Sequence, residues 1–176
     1  MKITYLSEHS DLIPTLARWL HAQFSYLAPA ASEATFAVAL AESCGRRMIP
    51  TTVVALSDGA LGERAIPAGT LLGTASLVAR DLPSHVHLSP WLADVYVAPG
   101  FRRQGVGGAL VQRIAEEARG LGRTALYLYT PDQMHFYEGL GWSQLERVRY
   151  LDYEVTVMAL SLAGERTEPA HGRGGL

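Results

Sequence analysis

The sequence predicts a mixed α/β domain in which one parallel strand–helix–strand crossover is set into a largely antiparallel sheet. Three observations predict it. Short β-branched runs alternate with stretches of helical periodicity. The apolar run at residues 91–97, the helical pattern at 107–121 and the run at 125–129 follow one another as a crossover, which is expected to be right-handed. Finally, 176 residues, 48% of them hydrophobic and 18% charged, fit one folded domain with a sizeable core.

Each element has its own signal. Residues 2–6 read as a short edge strand, and Ser10-Asp11 offer N-cap chemistry to a helix carrying Leu12, Ile13, Leu16, Trp19, Leu20 and Phe24. Ser32-Glu33 open a second helix through Phe36, Val38 and Leu40, closed by Gly45 and Arg46-Arg47. Residues 51–56 and 70–79 are strands, joined across the Asp58-Gly59 turn signal by a hairpin loop at 62–69. A loop with two prolines and two histidines, 81–90, precedes the strand at 91–97, which Pro99-Gly100 end. The helix at 107–121 shows one apolar face (Leu110, Val111, Ile114, Ala115, Ala118, Leu121) and an Arg113–Glu117 pair at i,i+4. After the strand at 125–129, Pro131-Asp132 begin a short helix ending at Leu140-Gly141, with Asp132 as its expected cap. Residues 142–150 and 155–160 form a closing antiparallel pair. Residues 1–162 are expected to form the single domain and 163–176, rich in glycine, a disordered tail.

Composition excludes several classes. Fifteen Lys and Arg against seventeen Asp and Glu give a net charge of −2, so no global basic field is present to capture nucleic acid or an anionic membrane. The single cysteine, Cys44, forms neither an intramolecular disulfide nor a cysteine-rich zinc site. His85-x-His87 has no third ligand in register, so no metal site is expected. With no signal-like segment, the expected location is the cytoplasm, as a monomer or homodimer.

The chemistry concentrates in Arg102-Arg103-Gln104-Gly105-Val106-Gly107-Gly108-Ala109, between a strand and a helix. The first N–H groups of a helix have no intrahelical acceptor, and glycines let a bulky anion approach them. Residues 99–123 hold five arginines and two glutamates, a local +3 in a chain of −2. Neither familiar nucleotide loop fits: a Walker loop needs Lys-Ser/Thr after its last glycine, and Ala109-Leu110 stand there; a GxGxxG starting at Gly105 needs glycine at position 110.

In that context the segment from Val95 to Leu110 resembles the acyl-CoA-binding signature of the GNAT N-acetyltransferase superfamily, Arg/Gln-x-x-Gly-x-Gly/Ala. Two frames match, Arg102–Gly105–Gly107 and Gln104–Gly107–Ala109. Farther on, Tyr137-Glu138-Gly139-Leu140-Gly141-Trp142 is similar to the family's Tyr-x-x-Leu-Gly-Phe/Trp segment, and the likeness spans about residues 91–160. The resemblance implies a GNAT-like fold, its sheet splayed at the cofactor site, and transfer of acetyl from acetyl-CoA to a primary amine by direct attack in a ternary complex. It implies that the backbone of Val95, Tyr96 and Val97 pairs with the pantetheine arm and that the loop from Arg102 through Ala109 (Arg102, Arg103, Gln104, Gly105, Val106, Gly107, Gly108, Ala109) holds the pyrophosphate. Tyr137 then matches the family's general acid for the leaving thiolate, a role that a phenol protonated at neutral pH suits.

The base is not carried over by the resemblance, because Tyr127, Tyr129 and Thr130 stand where many members place a glutamate. A lysine amine of pKa ~10.4 is neutral in only about one molecule in 2,500 at pH 7, against about one in ten for an α-amine, so the need for a base depends on the acceptor. Asp94, the only acid in its strand, is the candidate catalytic carboxylate, with Asp132, His85, His87 and His135 as alternatives. The stretch Asp132-Gln133-Met134-His135-Phe136-Tyr137 is also similar to that of the N-terminal acetyltransferases that modify actin, which hints at a peptide N-terminus as acceptor; a small-molecule amine is the other expectation. Trp91, Trp142, Tyr150 and Tyr153 are candidates to line the acceptor cleft. A noncatalytic acyl-CoA-binding or sensing domain is the alternative function.

Overall fold

The structure is a computed structural model and describes residues 1–163; the expected tail lies outside the described residues, apart from its first position. Seven strands form one sheet: β1 (Lys2–Tyr5), β2 (Thr51–Leu56), β5 (Leu71–Val78), β6 (Trp91–Val97), β7 (Ala125–Thr130), β9 (Tyr153–Ser161) and β8 (Ser143–Tyr150), in that spatial order. All neighbours are antiparallel except β6 and β7. A two-residue ladder between β3 (Ala60–Leu61) and β4 (Arg64–Ala65) occupies the expected hairpin loop. Among the described residues there are four α-helices, α1 (Ile13–Phe24), α2 (Glu33–Glu42), α3 (Val106–Gly120) and α4 (Met134–Glu138), besides short 3-10 turns.

Both faces of the first half-sheet are covered, which explains why β2 is buried at all six positions. Val53 and Ala55 face α3, joining Leu110, Ile114 and Ala118, whereas Val54 and Leu56 face Leu16 and Leu20 of α1 and Leu40 of α2. Each fully buried leucine here contributes about 1.5–3 kcal/mol. On the second half-sheet, Leu82, Trp91 and Val157 form a smaller cluster with Tyr127, Tyr129 and Tyr150.

Several local expectations are corrected. Ser10 and Asp11 lie in a 3-10 turn and do not cap α1, which starts from Leu12 with a proline in its first turn. Ser32 does cap α2: its hydroxyl accepts from Thr35 N while Thr35 Oγ1 accepts from Ser32 N. Val38 points outward, 58% exposed. Asp132 does not cap α4; the hydroxyl of Thr130 instead accepts from Gln133 N at 3.0 Å. The Arg113–Glu117 pair forms at 2.7 Å but is no surface pair, because Glu117 is buried and also receives the Tyr5 hydroxyl at 2.8 Å.

The feature that positions the site is the junction of β6 with β7. The two strands share one register pair, Trp91 with Tyr127, and then diverge. A bulge in β6 opposite Thr74–Ser76 bends the strand further, and Asp94 at that bulge adopts a left-handed φ of 55°. The sheet therefore opens as a wedge at the carboxyl ends of β6 and β7, where α3 begins.

Candidate active site

The wedge is the mouth of a cavity of about 650 Å³. Its floor and one wall are β6, from Leu92 to Val97; the opposite wall is β7 and the start of α4, including Tyr129, Thr130, Phe136 and Tyr137. Arg102, Arg103, Gly105, Gly107 and Gly108 line it beyond Val97, whose carbonyl Arg102 bonds, while Asp81, Tyr150 and Tyr26 line the end around Asp94 and Tyr129.

At the arginine end, Gly105 holds a left-handed φ of 81° and serves as the N-cap of α3 without any side-chain cap. Among the described residues, no hydrogen bond occupies the N–H groups of residues 103–108, so they are free to meet an anion. Arg103 is also left-handed, with φ 61°. The guanidinium of Arg102 donates to Val97 O at 2.9 Å and sits over the Tyr96 ring. Three residues of the expected loop lie apart from the cavity lining. Ala109 N already donates to Gly105 O, the Val106 side chain is in the core, and Gln104 reaches back to Gly100 O at 3.4 Å.

Tyr137 is 8% exposed, its ring edge-on to Phe136 and Trp142, and it reaches the cavity from the α4 side. Burial, and then the charge of Asp132, push its phenol well above the usual tyrosine range, so it stays protonated at neutral pH. Across the cavity stands Asp94, whose carboxyl burial pushes up and a hydrogen bond with Ser76 pulls back down. Ser76 is in turn 2.9 Å from the Thr52 hydroxyl.

The remaining candidates separate. His135 is on the surface, 2.9 Å from Glu138, not beside the cavity. His85 is buried rather than solvated, bonded to Ser84 and to Glu146 at 3.0 Å, while His87 is exposed and stacks on its ring. Trp91 is fully buried and donates to Leu88 O, and Trp142 packs behind Tyr137; neither lines the cleft. Tyr150 does line it, and Tyr153 stacks on Tyr26 at its rim. Sequence reasoning missed Asp81, Tyr129 and Tyr26 as cavity residues. Asp81 lies at the end of a strand in a loop dominated by prolines and histidines, and only the fold brings it to Asp94. Among the described residues no group of three or more His, Cys, Asp or Glu is placed to hold a metal ion, and no helix is long and apolar enough to cross a membrane.

A splayed parallel pair followed by an open helix N-terminus is the arrangement that the resemblance to the GNAT acetyltransferases implies. The model of the acetyltransferase (GNAT) domain matches residues 51–144, more than half of the chain, and the chain belongs to that family. Among solved structures it is similar in fold to an aminoglycoside 6'-N-acetyltransferase complexed with coenzyme A (16% identity, 93% of this chain and 98% of that one, TM-score 0.71). The ribosomal-protein-alanine N-acetyltransferase of Brucella melitensis matches at 18% identity, 92% and 99% coverage and TM-score 0.67. The YncA protein of Salmonella typhimurium, solved with its cofactor acetyl-CoA, matches at 17% identity, 97% and 98% coverage and TM-score 0.61. No curated protein matches the chain by sequence.

Proposed function

We propose that this single-domain protein, residues 1–162, transfers acetyl from acetyl-CoA to a primary amine held at the tyrosine-lined end of the cavity. The observation that carries the reading is the run of unengaged N–H groups from Arg103 to Gly108 at the mouth of the wedge. A diphosphate satisfies those donors, and the helix dipole adds about 0.3–1 kcal/mol at an exposed site. Gly107 keeps the approach open, because its missing side chain faces Val97 Cγ2 and the Phe136 ring at 3.6 and 3.3 Å. Beyond Trp91, the edge of β6 that faces β7 carries no ladder, so an amide-bearing arm can add to it as a strand would.

Bound there, acetyl-CoA supplies an activated acyl group at the middle of the cavity. Tyr137, kept protonated by burial, donates to the departing sulfur. Asp94, on the facing strand, makes the acceptor side electronegative, which favours a cationic amine. The acceptors for which these neighbours are named, an aminoglycoside and a ribosomal-protein alanine, support both a small-molecule amine and a peptide N-terminus. The test is calorimetry with acetyl-CoA followed by thiol release across a panel of primary amines. Saturable binding with turnover on at least one amine supports the proposal; absence of binding to folded protein overturns it, and binding without turnover on any amine indicates a sensing domain.

A further inference from the structure

Asp81 ends the β5 side of the cleft with a carboxyl that accepts no hydrogen bond among the described residues, although protein atoms surround it closely. It shares the acceptor end of the cavity with Asp94, Tyr129, Tyr150 and Tyr26. Asp94 is anchored through Ser76 and Thr52. We propose that Asp81 is the catalytic base of this enzyme, taking its proton from a primary alkylammonium acceptor that Asp94 and the three tyrosines hold in place. The inference rests on the acetyl-transfer reading above and assigns that site its acceptor class.

The surroundings favour a cation. Among the described residues lining this end there is no arginine or lysine; Arg102 and Arg103 are at the other end. The carboxyl of Asp94 on β6 and the phenol of Tyr129 on β7 face Asp81; Tyr150 on β8 and Tyr26 from the turn after α1 face Tyr129, and a further carboxyl, Asp132, lies against Tyr26 and Tyr137 in the same cavity. Tyrosine faces attract an alkylammonium, and Tyr129 and Tyr150 pack edge to face with centroids 5.8 Å apart, presenting a rigid wall. Burial and the charge of Asp94 push the Asp81 carboxyl up to about 7, where a base operates best at neutral pH. An ammonium entering beside the two carboxyls offsets their mutual repulsion, and its proton moves to the one with a free lone pair.

The step balances. One N–H bond of the ammonium breaks and its proton goes to a carboxylate oxygen of Asp81. The freed lone pair forms the C–N bond at the acetyl carbonyl, and the C–S bond breaks. The thiolate takes the phenolic proton of Tyr137, and the phenolate recovers a proton from the nitrogen that becomes the amide. Asp81 then returns its proton to water, so one proton leaves per turnover.

The test compares wild type with Asp81→Asn on two primary amines at saturating acetyl-CoA, one alkylamine of pKa near 10 and one weakly basic amine already neutral at pH 7, with calorimetric acetyl-CoA binding measured alongside. The expected result is a loss of about 100-fold or more in kcat/KM for the alkylamine, a change below about threefold for the weakly basic amine, and unchanged acetyl-CoA affinity. In wild type, log kcat/KM for the alkylamine rises with unit slope below about pH 7 and then levels off, whereas in the variant the break near 7 is lost and the rise continues toward the amine's own pKa. Equal losses on both amines overturn the proposal, as does a wild-type profile that rises through pH 7 without a break. A wild type that binds acetyl-CoA but acetylates no alkylamine also overturns it and leaves the cofactor half of the reading standing. Should Asp81→Asn not fold, Asp81→Glu is used, and a limb that stays in place while the rate falls equally on both amines counts against the base.

Discussion

The ring of Phe136 lies over Gly107, so that a Cβ at position 107 would stand 3.3 Å from Phe136 Cζ. Phe136 is 39% exposed and can give by a few tenths of an ångström, but it precedes Tyr137 on α4, so larger displacements reach the phenol. We expect Gly107→Ala to be nearly silent and Gly107→Val to weaken acetyl-CoA binding by roughly tenfold or more, about 1.4 kcal/mol or more, measured by calorimetry, with turnover falling as well.

Tyr137→Phe removes only the hydroxyl from a ring packed on Trp142. The fold should survive, and, if the phenol is the proposed donor to the leaving thiolate, kcat should fall by about 10²-fold with KM for acetyl-CoA within a few-fold. Steady-state kinetics with any accepted amine checks it, and an unchanged kcat removes the role.

A raised carboxyl pKa is also a stability statement. Unfolded, Asp81 titrates near pH 4; folded, at about 7. The native state therefore binds more protons between those values, and the contribution of Asp81 to stability falls as pH rises from about 4 through 7. Asp81→Asn should raise Tm by several degrees at pH 8 relative to wild type, and the gain should shrink toward pH 5. Thermal melts across that range decide it.

Far from the cavity, Glu117 is buried between Arg113 and the Tyr5 hydroxyl, while Arg113 also donates to Ile3 O at 3.2 Å. This cluster ties α3 to β1. Glu117→Ala leaves the guanidinium without its partner and should cost about 3 kcal/mol in urea unfolding, with kcat of the folded enzyme unchanged.

Much of this arrangement was legible in the residues. The strand at 91–97, the glycine turn and the helix after it were fixed by local signals, because Pro99, Gly105 and the apolar face from Leu110 to Ala118 each force a backbone choice. The position of β9 between β7 and β8 was not legible, since a closing hairpin pairs the same way whichever strand lies inside. Nor was the tyrosine-lined end of the cleft. Asp81 and Tyr26 reach it through the packing of separate loops, and sequence distance carries no trace of that. Trp91 misled in the opposite direction: an aromatic at a strand start suits a cleft wall as well as a core, and the Leu88 carbonyl that satisfies its indole is visible only in three dimensions.

The single rung between Trp91 and Tyr127 means that the sheet is mechanically two panels, β1–β2–β5–β6 and β7–β9–β8, stitched at one point and backed by α3. A molecule laid along the gap would splint them. Cofactor at 100 times its Kd adds about 2.7 kcal/mol to global stability, and this seam is where slowed amide exchange should be concentrated, on the facing edges of both panels at once.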